Sequence, residues 1–167
     1  HNVTVFNRTK SKAEKWINEY KGKIAETPAE AVKDAEYIFT CVGNDNDLKE
    51  VTFGEHGVFK NIKNGAIYID NTTASATIAR EIYKYANENG FASLDAPVSG
   101  GQAGAENGIL SVMVGGDENQ FNIAKPVMSA YGKTIELIGP AGAGQLAKMI
   151  NQICIAGLVQ GLSEAMA

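Results

Sequence analysis

The 167-residue sequence lacks the features that mark several classes of protein. Its two cysteines, Cys41 and Cys154, form neither a CxxC pair nor another metal-binding spacing, so the sequence predicts no metal site. Acidic residues outnumber basic ones by 19 to 15 and no long basic run occurs, which gives no reason to expect nucleic acid as a partner. The apolar stretches are far shorter than the roughly 20 residues that a membrane-spanning helix needs.

The remaining composition is that of an ordinary globular protein, 44% hydrophobic and 20% charged. Each cysteine lies in an apolar run, which predicts two buried free thiols and favours a reducing, cytoplasmic location. The N-terminus does not resemble a signal peptide, because His1 and Asn2 lead directly into a strand-like run. We therefore expect a cytoplasmic protein whose partner is a small molecule, not nucleic acid or a membrane.

Strand and helix signals alternate along the first 96 residues. Four short β-branched and aromatic runs have the length of strands: residues 3–6, 37–42, 66–69 and 91–96. Segments with helical spacing separate them, and Ser75 is placed to cap the clearest of these helices. The alternation predicts a parallel sheet with helices on its faces, which is a doubly wound α/β fold.

A different pattern follows Pro97. Two strand-like runs, 110–114 and 134–138, flank one helix, and a glycine-rich loop at 139–144 leads into a last helix. That helix is apolar nearly all round, so something must bury it. Either it packs on this domain, or its partner helices lie beyond residue 167, and we favour the second explanation.

Residues 95–101, with the sequence DAPVSGG, lie where a buried strand ends and a loop begins. Open α/β sheets bind ligands at the carboxyl ends of their strands, and glycine backbone can approach an anion closely. Ser99 adds a hydroxyl donor suited to a carboxylate, next to Gly100 and Gly101. Taken alone, the segment is better explained as a plain turn.

The last helix carries polar residues at helical spacing near its start. Four of them share one face of an otherwise apolar helix: Gln145, Lys148, Asn151 and Gln152. Such a stripe has to face something polar or a cavity, and a partly desolvated lysine there is suited to passing protons near neutral pH. A lysine that reaches solvent from the helix start is the alternative, and Lys148 alone does not exclude it.

Three further segments end strands where a dinucleotide cofactor could bind. In a dinucleotide fold, an acidic residue after the second strand binds the ribose 2′-hydroxyl of NAD, whereas arginine there favours the 2′-phosphate of NADP. Asn7 and Arg8 therefore favour NADP. Gly43, Asn44 and Thr73 lie where they could contact phosphate, ribose or nicotinamide, although each segment could equally serve as a helix cap.

In this order, the segments resemble the 3-hydroxyisobutyrate dehydrogenase branch of the β-hydroxyacid dehydrogenases over essentially the whole chain. Residues 95–101 resemble the family's substrate-binding DxPVSGG segment, and residues 142–151 resemble the helix start that carries its catalytic lysine. Residues 70–75 resemble the cofactor segment DxSTxSP, with Thr73 at the cofactor-contacting threonine. Residues 7–9 resemble the end of the family's second strand.

The resemblance implies an oxidoreductase that transfers hydride between NADP or NAD and a small β-hydroxyacid or its semialdehyde. Ser99, Gly100 and Gly101 would hold the substrate carboxylate. Lys148 would take the proton of the reacting oxygen during oxidation and return it during reduction. Asn151 would orient the substrate or the lysine.

The resemblance also implies the cofactor contacts and the domain organisation. Six residues would contact the cofactor, with NADP preferred over NAD: Asn7, Arg8, Thr9, Gly43, Asn44 and Thr73. A Rossmann-type NAD(P)-binding domain would cover residues 1–140, followed by the first helix of an all-α domain over residues 141–167. The family further implies a homo-oligomer.

The sequence departs from the family in two places. Ala76 stands where the family has proline, and the strand, GxGxxG loop and helix that open the family's fold do not precede Val3. That strand would lie at the centre of the sheet, so we expect a break between the strands that begin at Val3 and Tyr37. We also expect the chain by itself to bind cofactor weakly and to catalyse little.

Several rival functions share this scaffold. They are tartronate semialdehyde reductase, glyoxylate or succinic semialdehyde reductase, 6-phosphogluconate dehydrogenase, and the imine reductases. Lys148 argues against the imine reductases, which usually lack this lysine. The rival outside the enzymes is a non-catalytic, dimerising homologue, or an inactive fragment, that uses the fold for binding. Such proteins tend to lose the lysine.

Overall fold

In the computed structural model, which describes residues 1–167, the chain opens with a small parallel βαβ unit. Strand β1 (Thr4–Val5) leads through helix α1 (Lys10–Tyr20) to strand β2 (Lys23–Ile24). These two strands pair only with each other, and neither joins the main sheet. The expected break in the sheet is therefore present.

The main sheet has six strands. They are β3 (Tyr37–Thr40), β4 (Ile67–Asp70), β5 (Ala92–Asp95), β6 (Val98–Ser99), β7 (Leu110–Gly115) and β8 (Gly132–Gly139). Strands β3, β4 and β5 run parallel and in register, as the alternation of strand and helix predicts. Strand β7 runs antiparallel to β5 and pairs with both β6 and β8, so the change of pattern after Pro97 marks a change of strand direction.

Helices connect these strands and cover the sheet. They are α2 (Pro28–Ala31), α3 (Asp45–Phe53), α4 (Ala76–Glu88), α5 (Gly101–Glu106), α6 (Glu118–Met128) and α7 (Ala143–Met166), with a 3₁₀ turn at Val58–Lys60. The Ser75 hydroxyl accepts from the Ile78 amide and caps α4, as predicted. Helix α5 was not predicted, because two glycines in six residues give it little helical propensity.

Strand β4 shows how the core is divided. Tyr68 is fully buried in one apolar cluster, with residues of α4 and the 3₁₀ turn. Ile67 and Ile69 point to the opposite face and pack in a second cluster, with residues of β7 and α6. Because both faces of β4 are covered, the fold is the layered, Rossmann-like α/β arrangement that the sequence predicts.

Helix α7 is packed on the domain only at its start. It contacts α4, β5, β7 and β8, but every residue from Gln152 onward is exposed, with Leu158 at 71%. None of the helices is both long and apolar enough to cross a membrane. The chain therefore does not bury α7 as the alternative explanation required, because the apolar side chains of this helix lie outside the two cores.

The prediction of two buried thiols is also wrong, because both cysteines are exposed. Cys41 comes directly after the last residue of β3, where the chain has left the sheet. Cys154 lies on the exposed part of α7. An apolar run in the sequence therefore predicts burial only where another element of the fold packs against it.

Candidate active site

Three polar side chains form a row at the carboxyl ends of the parallel strands. The strand register sets Thr40 of β3 opposite Asp70 of β4, and Asp70 opposite Asp95 of β5. All three are buried. The row lies directly below the segments that the sequence analysis singled out, at the edge of the sheet where α/β proteins bind their ligands.

Asp70 is held from one side only. Its Oδ1 accepts from the Thr40 hydroxyl at 2.9 Å and from the Thr72 amide at 3.0 Å, whereas its buried Oδ2 has no hydrogen-bond partner. Burial raises the pKa of Asp70 from 3.8 to about 6, although the hydrogen bonds from Thr72 and Thr40 lower it. The fold therefore holds a carboxyl group here that keeps its proton to a higher pH than an ordinary aspartate does.

Asp95 caps helix α7 from a distant part of the chain. The helix begins after Gly142, which has no side chain to satisfy the free amides of the first turn. The Asp95 carboxylate accepts instead from the Gly142 amide at 2.7 Å and from the Gln145 amide at 3.0 Å. Burial raises the pKa of Asp95, and the hydrogen bonds from the helix amides lower it. The strand that precedes the DAPVSGG loop thus fixes the start of the lysine-bearing helix.

Gln145 joins the same helix to residues 72–74. Its side chain is fully buried, its Nε2 donates to the Thr72 carbonyl at 2.7 Å, and its Oε1 accepts from the Ala74 amide at 3.0 Å. These two contacts flank Thr73, whose own side chain is exposed. Gln145 belongs to the polar stripe predicted from the sequence, but its partners at residues 72–74 are far from it in the sequence.

Lys148 lies one turn beyond Gln145. It is only 7% exposed, and none of the four ion pairs of the chain involves it. Asn151 lies one turn further, and its side-chain Nδ2 is buried without a hydrogen-bond partner. Gln152 is exposed, so three of the four residues of the predicted stripe face the protein. Lys148 does not extend freely into solvent from the helix start.

The predicted substrate loop is partly strand and partly helix. Ser99 ends β6 and pairs with Ser111 of β7, Gly100 precedes α5, and Gly101 begins it. Gly100 has a φ of 137°, and a Cβ there would lie 2.9 Å from Leu110 Cδ2, so this position requires glycine. Ser99 is half-buried, and both glycines are exposed. The loop follows Asp95 by only a few residues, so Asp95 connects it to the helix of Lys148.

The segment after β1 borders a pocket of about 260 Å³. Four apolar and four charged or polar residues line it: Phe6, Ala13, Ile24 and Ala25, and Asn7, Arg8, Lys10 and Glu26. Lys10 is paired with Glu26 at 2.7 Å, whereas Arg8 is exposed and contacts Asp47 only at 3.4 Å. Arg8 is therefore the more exposed and more loosely paired of the two cations of this pocket. Asn7 accepts from the Thr9 amide at 2.8 Å, which shapes the turn.

The segment after β3 serves as a helix cap, which is one of the two uses that the sequence left open. Asn44 caps α3, since its side chain accepts from the amides of Asn46 and Asp47. Asp45 binds the amide and hydroxyl of Ser75, at 2.8 and 2.5 Å. Gly43 is exposed beside this cap. The ends of β3 and β4 are thus tied together, and their exposed backbone faces the carboxyl edge of the sheet.

These contacts bring the segments after β3, β4 and β5 and the start of α7 into one hydrogen-bonded group. The segment after β1 is joined to it only by the long contact between Arg8 and Asp47. Asp95 and Gln145 were missed as functional candidates, because each acts through partners 47 to 73 residues away in the sequence. The one available signal was Gly142, a helix start that lacks a capping side chain.

The close packing at this junction leads to a stability prediction. A Cβ on Gly144 would collide with the carbonyl oxygens of Met113 and Asp95, which are backbone atoms that cannot move aside easily. We expect Gly144→Ala to lower the free energy of unfolding of this chain by about 2 kcal/mol in urea denaturation. Gly157→Ala on the same helix, where nothing lies within 4 Å, should instead be neutral or stabilising. Equal stability of the two variants would contradict the packing described.

Comparisons with known proteins agree with this arrangement. Residues 1–139 match the family described as the NAD binding domain of 6-phosphogluconate dehydrogenase. An uncharacterized oxidoreductase of Shewanella frigidimarina is 58% identical over 166 residues, 99% of this chain and 57% of that protein. The 2-hydroxy-3-oxopropionate reductase of Escherichia coli is 40% identical over 141 residues, 84% of this chain and 48% of that protein.

A solved structure shows the same fold. The 3-hydroxyisobutyrate dehydrogenase of Mycobacterium tuberculosis with L-serine superposes with a TM-score of 0.91 and 32% identity, covering 99% of this chain and 55% of that chain. The present chain spans about half the length of the curated relatives that it matches.

Proposed function

Because the chain belongs to the β-hydroxyacid dehydrogenases, we propose that the protein that carries it oxidises a small β-hydroxyacid or reduces the corresponding semialdehyde. This family shares the NAD-binding domain of 6-phosphogluconate dehydrogenase. The observation that carries the proposal lies on one face of α7: Lys148 is only 7% exposed and belongs to none of the chain's ion pairs, and the Asn151 amide one turn later is buried without a hydrogen-bond partner. A buried donor without a partner costs about 1–3 kcal/mol, so a fold that keeps the Asn151 amide in this state supports a role in binding an acceptor.

A small hydroxyacid offers acceptors that match this site. In the proposal, the carboxylate binds the Ser99 hydroxyl and the backbone of Gly100 and Gly101, where no side chain obstructs the approach of an anion. The Asn151 amide donates to the substrate and fixes its orientation. Lys148 takes the proton from the hydroxyl oxygen during oxidation and returns it during reduction. A nicotinamide dinucleotide, when bound, accepts or supplies the hydride.

The carboxyl edge of the sheet suits such a cofactor. The pocket after β1 offers apolar lining residues to a base and a loosely paired, exposed cation, Arg8, to a phosphate. Asn7 and Thr9 shape the turn that carries this cation. Gly43, Asn44 and Thr73 are exposed at the ends of β3 and β4, where the backbone or the threonine hydroxyl could contact the cofactor. We propose that these residues hold NADP in preference to NAD.

The test of this function is an assay of the full-length protein that carries this sequence. Absorbance at the wavelength of the reduced cofactor would be followed with 3-hydroxyisobutyrate, 2-hydroxy-3-oxopropionate, glyoxylate and succinic semialdehyde, each with both cofactors. The first two substrates are chosen because the Mycobacterium tuberculosis dehydrogenase and the Escherichia coli reductase are named for them. We expect turnover of at least one. Absence of turnover with the whole panel would refute the proposal and favour a non-catalytic homologue.

The cofactor preference has its own test. We expect Arg8→Ala to raise the KM for NADP by about tenfold, because one charge-assisted contact to a phosphate is lost, and to leave the KM for NAD within about twofold. Lys12→Ala, an exposed cation on α1 outside the pocket, is the matched control. An equal change in KM for both cofactors, or no change for either, would remove Arg8 from the proposed phosphate site.

The division of the chain and its assembly are part of the same proposal. We propose that residues 1–140 form the cofactor domain and that residues 141–167 begin a helical domain, since α7 leaves the sheet after its first turns. The exposed apolar side chains of α7 support a homo-oligomer in which this helix is covered. Two free thiols support a cytoplasmic location. Sedimentation of the full-length protein would measure its oligomeric state.

A further inference from the structure

We propose that Asp95 and Gln145 are positioning residues that fix Lys148 relative to the cofactor side of the site. The inference rests on the proposed function and names how the catalytic lysine is held. It starts from the way α7 begins, with a glycine at the capping position and a catalytic candidate two turns later.

Asp95 supplies the cap of α7. A helix start needs a partner for its free amides, and a carboxylate is favoured there by the helix dipole as well. Asp95 binds the amides of Gly142 and Gln145 and is itself 5% exposed, so it reaches α7 from within the core. The axis and rotation of the first turn are therefore set by the end of β5, which leads directly into the loop with Ser99.

Gln145 clamps α7 to the backbone of residues 72–74 through both ends of its side-chain amide. A fully buried amide side chain that satisfies both its donor and its acceptor on the backbone of residues 72–74 has only one arrangement available. That backbone flanks Thr73, the residue proposed to contact the cofactor. Gln145 and Lys148 are three residues apart on one helix face, so a rotation of α7 that moves Lys148 must also break the clamp.

Lys148 has no charged partner of its own. Its side chain forms none of the chain's ion pairs, so the position of its amine depends on the helix that carries it. A displacement on the order of 1 Å from productive geometry can cost about 10²-fold in rate. We therefore assign to Asp95 and Gln145 an effect on the chemical step, transmitted through the placement of Lys148.

The experiment compares two variants of the full-length protein with a matched control. Gln145→Met keeps the approximate shape of the side chain and removes both contacts, and Asp95→Asn keeps the shape and weakens the cap. We expect each to lower kcat by about 10²-fold, to leave the dissociation constant for NADPH within about threefold, and to alter the pH profile of kcat, since the proton donor is displaced. Gln120→Met, on α6 and away from the junction, should leave kcat unchanged.

The measurements distinguish a merely structural role, a variant that does not fold and a failure of the proposed function. If either variant loses thermal stability but keeps the kcat and pH profile of the wild type at temperatures where it is folded, that residue is only structural and the inference is overturned. If Gln145→Met does not fold, Asp95→Asn decides the question by the same measurements. If the wild-type protein itself turns over none of the hydroxyacids, the proposed function fails and this inference fails with it.

Discussion

Lys148→Ala should lower kcat by about 10³-fold, because removal of a general acid–base group costs about 10²–10⁴-fold. The dissociation constant for NADPH should change by less than about threefold, since Lys148 lies on α7 and the proposed cofactor contacts lie after β1, β3 and β4. Steady-state kinetics and a fluorescence titration of NADPH with the full-length protein would measure the two quantities.

Two further variants define what Lys148 contributes. Lys148→Arg keeps the positive charge but cannot release a proton near neutral pH, so we expect it to be almost as slow as the alanine variant. Lys133→Ala changes an exposed lysine on β8 that forms no ion pair, and it should retain full activity. An active Lys148→Arg would mean that the site needs a charge at this position and not a proton carrier.

The stability of this chain should fall as the pH rises from about 4 to about 7, and Asp70 should account for about 3 kcal/mol of that fall. The pKa of Asp70 is raised from 3.8 to about 6 in the folded protein. The folded state therefore binds more protons than the unfolded state within this window. The contribution is fully present below pH 3.8 and is lost as the pH passes through about 6.

The comparison with Asp70→Asn isolates this contribution. Asparagine can still accept from Thr40 and Thr72 at Oδ1, but it does not titrate. Burial also raises the pKa of Asp95 and contributes in the same direction, but this effect is common to both proteins and largely cancels in the difference. Urea denaturation of both proteins at several pH values would give the two curves. Parallel curves between pH 4 and 7 would show that Asp70 is not the titrating group.

The sequence predicted most of the fold because the fold follows local patterns. Strands β3, β4 and β5 were visible as apolar runs of strand length, and the cap of α4 was visible in Ser75. The break between β1 and β3 followed from the strand order of the family that the sequence resembles. Helix α5 was not predicted because its glycines favour a loop, whereas in the structure the helix packs against β7.

The site was less predictable than the fold, because its supporting contacts are not local. The motif residues could be named from sequence, but Asp95 caps a helix that begins 47 residues later, and Gln145 binds backbone 73 residues earlier. The exposure of Cys41 and Cys154 also depends on where the chain leaves the core and not on its apolar neighbours. A spacing rule identifies residues that share a helix face, whereas the partners of that face are set by the tertiary fold.

The central claim is hydride transfer at a site that depends on Lys148, and an isotope-transfer measurement tests it most directly. The full-length protein would be incubated with NADP and 3-hydroxyisobutyrate that carries deuterium on its carbinol carbon, and the cofactor would then be analysed by NMR. We predict deuterium at the nicotinamide C4 of the reduced cofactor with the wild type and almost none with Lys148→Ala. Reduced cofactor without deuterium, or equal labelling by the variant, would contradict the account.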